Sequence, residues 1–215
     1  MNPVESNIKA TNKLRIDTVI KNMEKRGIVG HYCETKEAAA DMILSMIPDK
    51  SVVSWGGSMT LDSMDIKDRL AKRDVVTIDP YGTKDPAESL ERRRQGLMAD
   101  YYLMSSNAVT MDGELINIDG TSNRVAALCF GPKKVIVVAG ANKLALGFDA
   151  AMGRAKLNAA VANNVRLSRS NPCTVTGSCS DCLSKDCICC NVVTTRFCGI
   201  PGRIEVILVN ESLGF

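Results

Sequence analysis

A chain of 215 residues has the length of one large domain and can bury about 70% of its unfolded surface, so it needs no staples to hold a core. Aromatic residues are 4% of the chain and the net charge of +3 is spread among interleaved acids and bases, which offers nucleic acid neither a stacking platform nor a basic stripe. No apolar run approaches the ~20 residues of a membrane span, and the opening residues lack the pattern of a secretory leader, so a soluble cytoplasmic protein is expected.

Asn2, Pro3 and Glu5 have the spacing of a capped helix start, and Gly27 supplies its stop. Val4, Ile8, Ile16, Val19, Ile20 and Met23 share a helical period and predict one buried face along it. A strand over 28–33, a helix over 36–47, a strand over 51–55, a helix over 60–72 and a strand over 75–78 follow. Asp85-Pro86 opens another helix running to about residue 99, and 101–104 reads as a strand. Met111-Asp112-Gly113-Glu114 has hairpin-turn chemistry, with 114–118 as the return strand. A helix over 122–130, an apolar strand over 134–139, a helix over 148–161 and a last strand over 203–209 complete the pattern. The alternation predicts a single α/β domain over 1–215, a mostly parallel sheet with helices on both faces. Residues 163–202, rich in Asn, Ser, Thr and Cys, read as an insertion before the last strand.

Three polar segments fall at predicted strand ends, where open α/β sheets bind their ligands. In Trp55-Gly56-Gly57-Ser58-Met59-Thr60, Gly56 and Gly57 allow close backbone approach to an anion, and Ser58 and Thr60 add hydroxyls. A tight strand-to-helix turn explains the same glycines equally well. The segment from Ser105 to Arg124 contributes Asn107, Asp119 and Asn123, with Arg124 placed to form a bidentate pair with a carboxylate or phosphate. Caps and turns account for some of these residues, Asp112-Gly113 above all. In the third segment, Ala139 to Lys143, Lys143 can steady an anion or act as a base if desolvated, against the ordinary fate of a solvated lysine.

Seven of the nine cysteines lie between Cys173 and Cys198. In a reduced compartment such clustering points to metal rather than disulfides. Cys173, Cys179, Cys182 and Cys189 form the best-spread set of four, leaving Cys187, Cys190 and Cys198 as alternates or a redox pair. Cys179-x2-Cys182 is the only zinc-type knuckle, while an iron–sulfur cluster tolerates irregular spacing. Both metals therefore stay open at this point. Cys33 and Cys129, in apolar runs, are expected to be buried core thiols, and His31 to be a satisfied strand-end histidine rather than a ligand.

Taken together, the Trp55–Thr60, Ser105–Thr110, Asp112–Gly120, Asn123–Ala126 and Gly131–Gly140 segments resemble the lactate-utilisation (LUD) domain family. Pro172-Cys173, Cys179, Asp181-Cys182, Ile188-Cys189, Pro201-Gly202 and Leu213-Gly214 resemble its cysteine-tailed subgroup. The resemblance implies a fold of the type shared by sugar-phosphate isomerases and coenzyme A transferases. It also implies hydroxy-acid metabolism in the company of iron–sulfur or oxidoreductase partner proteins. The expected function is a 4Fe-4S protein that binds a small anionic carboxylate or phosphate, with a homo-oligomer among the expected partners. Two alternatives are a structural-zinc module that binds a ligand or partner without catalysis, and a lyase whose cluster serves as Lewis acid.

Overall fold

The computed structural model of the chain describes residues 2–215. Helix α1 (Pro3–Glu24) starts as its sequence dictates: the Asn2 side chain accepts from the Glu5 amide at 2.9 Å, with Pro3 in the first turn. Strand β1 (Val29–Cys33), helix α2 (Lys36–Met46), strand β2 (Val52–Trp55), helices α3 (Met59–Asp62) and α4 (Ile66–Leu70), and strand β3 (Val76–Ile78) come next. Helix α5 (Pro86–Gly96) precedes strands β4 (Tyr101–Ser105), β5 (Ala108–Thr110) and β6 (Leu115–Asp119), then helix α6 (Asn123–Cys129) and strand β7 (Lys134–Gly140). A 3₁₀ turn (Ala141–Lys143), strand β8 (Leu144–Ala145), helix α7 (Gly147–Arg154), a π-helical segment (Ala155–Ala160) and helix α8 (Val161–Arg166) follow. The cysteine segment holds helix α9 (Pro172–Thr176) and strand β9 (Asn191–Thr195), and β10 (Ile204–Val209) ends the fold.

Six strands form a wholly parallel sheet in the order β1-β10-β7-β4-β2-β3. Because side chains alternate along a strand, its residues divide between two cores. Tyr102, Met104, Val137 and Val206 meet Ile16 and Val19 of α1 and Leu128 of α6 on one face. Leu103, Ile136, Val138 and Ile207 meet Ile43 of α2 and Leu61, Ile66 and Leu70 of α3 and α4 on the other. The expected sheet with both faces covered is therefore present. Arg203, just before β10, donates to the carbonyls of Ala127, Leu128 and Pro132 and so satisfies the C-terminal end of α6 from inside the fold.

Beside it lies a second sheet, β8-β5-β6-β9, in which the hairpin turn at Met111–Glu114 joins antiparallel β5 and β6. The cysteine segment supplies its edge: β9 pairs with β6, setting Asn191 opposite Asp119.

Three local expectations are corrected. The buried face of α1 is confined to its second half, with Ile16, Val19 and Met23 buried, because Val4 and Ile8 extend past the sheet into solvent. The helix expected over 60–72 is two helices, broken where Asp65 takes a left-handed backbone (φ 51°). Cys129 is exposed, since α6 turns Val125, Ala127 and Leu128 inward and leaves this residue outside, whereas Cys33 is buried as expected. Among the described residues no helix is long and apolar enough to cross a membrane.

Candidate functional site: a cationic cavity beside a five-thiol cage

The chain leaves β2 towards β3 and leaves β4 in the opposite direction, towards β7, so a crevice opens between the carboxyl ends of β2 and β4. A cavity of about 250 Å³ occupies it. Gly57, Ser58, Thr60, Asn107, Asp119, Asn123, Arg124 and Lys143 all reach its lining, so the three separate polar segments do converge. Gly56 stands just behind, where a Cβ would come within 3.0 Å of the Arg124 side chain.

Several of these groups are engaged with one another rather than turned to a ligand. Arg124 donates to the Ser105 carbonyl (2.9 Å), the Asn117 side chain, the Asn107 side chain (3.1 Å) and the Ile118 carbonyl (2.6 Å), and its Nε pairs with Asp119 at 3.3 Å. Its four terminal N–H groups thus meet four acceptors within the protein while its Nε faces Asp119, so a ligand has to compete with these partners for the bidentate pairing expected from the sequence. Asp119 also accepts from the amides of Thr121 (3.1 Å) and Ser122 (2.8 Å), fixing the loop that starts α6. Asn123 donates to Tyr102 at 3.3 Å, Ser58 accepts from the Leu61 amide, and the Gly57 amide donates to the Tyr81 hydroxyl at 2.7 Å. Asn107, Asp119 and Arg124 are the scaffold of the cavity.

Its charge comes from residues the sequence reading did not select. Arg93 of α5, Arg166 of α8 and Arg169 line the cavity with Arg124 and Lys143, and Asp119 is the lone acidic side chain among the lining residues. Arg93 donates to Thr121 at 3.2 Å, but its buried Nε has no partner. A buried charged donor left unpaired costs on the order of 1–3 kcal/mol. The run Arg92-Arg93-Arg94 was the available signal, yet only the middle residue reaches the cavity. Lys143 is buried, and donates to Thr60 Oγ1 at 2.9 Å and Ser105 Oγ at 2.8 Å. Burial first, then the Arg154 and Arg124 charges, bring its ammonium down to about 7.

A second cavity, of about 140 Å³, adjoins the first and shares Ile118 and Ala160 with it. Cys173, Cys179, Cys182, Cys187 and Cys189 all line it. The four cysteines selected from spacing are therefore gathered together, and Cys187 joins them. Two buried asparagines hold the loop: Asn171 donates to Asn164 (2.5 Å) and to the Asp186 carbonyl (3.0 Å) and accepts from Ser184. Burial pushes the Cys189 thiol up to about 12, with Cys187, Cys179 and Cys173 adding to the effect. Burial raises Cys173 as well, while the Ser184 amide and hydroxyl lower Cys182.

The remaining thiols lie elsewhere. Cys190 is exposed, and Cys198 is buried in the α1 core, its amide donating to the Arg26 carbonyl at 2.8 Å. His31 on β1 is hydrogen-bonded to Glu205 at 2.8 Å. Among the described residues no three His, Cys, Asp or Glu side chains already stand as a ligand set round one ion.

Comparison with known proteins bears on the family. A solved structure of a DUF162 family protein from Deinococcus radiodurans is similar at 16% identity and TM-score 0.49, covering 94% of this chain and 98% of that one. Another, of eIF2B delta from Chaetomium thermophilum, is similar at 21% identity and TM-score 0.31 over 49% of this chain and 46% of the other. No functionally curated protein matches. The model described as LUD domain matches residues 16–209, which takes in both sheets and the cysteine segment, and the chain belongs to the LUD domain family.

Proposed function

We propose that the chain binds a small organic anion in the cationic cavity, next to an iron–sulfur cluster held by the cysteine cage, and that it serves hydroxy-acid metabolism or the associated electron transfer. The observation that carries this reading is the shared wall: Ile118 and Ala160 separate a cavity lined by five thiols from one lined by four arginines and Lys143. Thiolates are strong soft ligands, and an iron–sulfur cluster needs about four of them. A single zinc ion draws its sulfurs to ~2.3 Å from one point. The thiols here surround a space of about 140 Å³, room for a group larger than a single ion. Cys173, Cys179, Cys182 and Cys189 remain the preferred ligands, with Cys187 in reach as a replacement. When bound, the cluster would supply electron transfer or an electrophilic iron. The protein's own part is to bind and orient the anion through Arg93, Arg166 and Arg169. Lactate-type hydroxy acids and iron–sulfur partner proteins follow from the family resemblance.

Calorimetric titration with lactate, pyruvate and phosphate tests the anion site. The reading expects saturable binding that weakens about tenfold or more in Arg93→Ala, as loss of a charge-assisted bond does. Absence of binding by all three anions, or equal binding by the variant, would refute it.

A further inference from the structure

Lys143 is placed in a way that anion binding alone does not explain. It closes the 3₁₀ turn that follows β7, and its side chain runs inward to the floor of the cavity. Its nitrogen lies 2.9 Å from Thr60 Oγ1 and 2.8 Å from Ser105 Oγ. Both hydroxyls direct their own hydrogens to carbonyls, Thr60 to Leu213 at 3.3 Å and Ser105 to Ser106 at 3.4 Å. Towards the lysine they can then only accept, so two of its N–H groups are engaged. A tetrahedral nitrogen bonded to its own carbon and donating twice has one direction left. In the ammonium that direction carries a third proton; in the amine it carries the lone pair.

The surroundings select between the two. Among the described residues no carboxylate pairs with Lys143, and Asp119, the one acidic side chain of the cavity, is held by Arg124. Its charged neighbours are Arg124 and Arg154, both cationic, and Arg154 is itself fixed by the carbonyls of Asn142 (2.8 Å) and Asn107. A lysine desolvated beside other cations is one of the settings that turn an amine into a nucleophile near neutral pH.

We propose that Lys143 is a nucleophilic amine that condenses with the carbonyl carbon of a small anionic carbonyl compound held in the cationic cavity. This rests on the anion-site reading, because the arginines must hold the acidic group while the carbonyl faces the lysine. The nitrogen lone pair forms the C–N bond as the C=O π electrons pass to oxygen, which takes up a proton. The resulting carbinolamine loses its hydroxyl, with a proton, as water, and the nitrogen loses its remaining extra proton as the imine forms. Amine and carbonyl give imine and water, with no oxidant or reductant. A 2-oxo acid is the simplest compound with the two groups adjacent; a sugar-type aldehyde bearing a phosphate has the same pair of features.

The test is reductive trapping. The purified full chain is incubated at pH 7.5 with pyruvate, glyoxylate or glyceraldehyde 3-phosphate, reduced with cyanoborohydride and mapped by peptide mass spectrometry. With its ammonium brought down to about 7, the fraction of free amine at Lys143 at that pH exceeds that of an ordinary lysine by roughly 600-fold. Labelling at Lys143 at least about tenfold above every other lysine is therefore expected. Excess lactate or phosphate, which cannot form an imine, should suppress it, and Lys143→Arg should abolish it. Suppression is read on the unaltered protein, so it stands even if that variant fails to fold. The carboxylate and phosphate arms show which anionic group is accepted. Calorimetric binding of anions without an adduct at Lys143, or adducts spread evenly over surface lysines, overturns this inference and leaves the anion site intact. Neither binding nor adduct overturns both.

Discussion

Ile188 rests on Gly120 so closely that a Cβ on the glycine would stand 3.1 Å from the isoleucine Cα. Gly120 belongs to the loop between β6 and α6 that Asp119 pins, and Ile188 lies between two thiols of the cage, Cys187 and Cys189. Asn191 donates a hydrogen bond to Ser122, two residues along the same loop. The anion cavity and the thiol cage thus share backbone contacts as well as a wall.

A side chain at Gly120 should disturb both sites. Gly120→Val meets main-chain atoms of Ile188 rather than the end of a flexible side chain, and overpacking of this kind costs about 1–3 kcal/mol. We expect the variant to retain less metal than the parent after anaerobic reconstitution and to bind lactate or pyruvate more weakly. Metal analysis and calorimetry on one preparation check this; loss of neither would show that the two sites are independent.

The cysteines should divide by location. Single Ser substitutions at Cys173, Cys179, Cys182 and Cys189 should lower metal content sharply, and Cys187→Ser should show whether that thiol is a ligand or a spare. Cys190→Ser should retain metal, because Cys190 is exposed and outside the cage. Cys198→Ala should retain metal too but lose roughly 1 kcal/mol, or about 2–4 °C of thermal midpoint, through the α1 core it fills. Metal loss in the Cys190 or Cys198 variant would redraw the ligand set.

Arg124 is expected to act on stability. Its removal leaves Asp119, which is 9% exposed, without its cation and withdraws a donor from the Asn107 and Asn117 side chains and the Ser105 and Ile118 carbonyls. Breaking a buried pair from one side costs about 3–5 kcal/mol. Arg124→Lys should fare little better than Arg124→Ala, since one ammonium cannot span five acceptors. Urea denaturation measures the difference, and a loss below about 1 kcal/mol in both would contradict the scaffold role.

Lys143 gives the fold a pH signature. Its pKa is brought down to about 7 in the folded chain, so between there and the unfolded value near ~10.4 the unfolded chain holds the extra proton. Stability from this group therefore rises with pH through that window and carries its full penalty below it. Denaturation curves for the parent and Lys143→Met, compared at pH 6.5 and 9.5, should show the parent gaining on the variant as pH rises. A constant difference between the two would mean that the lysine titrates normally.

The order of strands and helices was legible because buried parallel strands such as 134–139 stand out as apolar runs between helical periods. The second sheet was not, for β9 (Asn191–Thr195) is a polar edge strand specified by its pairing with β6 rather than by its own pattern. Convergence of the polar segments was legible from their positions at strand ends. Their division of labour was not, since Arg124 and Asp119 meet through loop geometry that spacing does not encode. Arg166 ends α8 and Arg169 follows it, both past the helix expected over 148–161, and only the path of the chain past the cavity reveals them. Cys187 and Cys198 looked alike in sequence, and the fold sends one into the cage and the other to the far end of α1.

Iron, zinc and acid-labile sulfide content of the anaerobically purified and reconstituted protein tests the central claim most directly. The account predicts a coloured protein with iron and sulfide in equal amounts, both falling sharply in Cys173→Ser, Cys179→Ser, Cys182→Ser and Cys189→Ser. A colourless protein that keeps zinc and takes up no sulfide, or one that binds neither metal through these four cysteines, would contradict it.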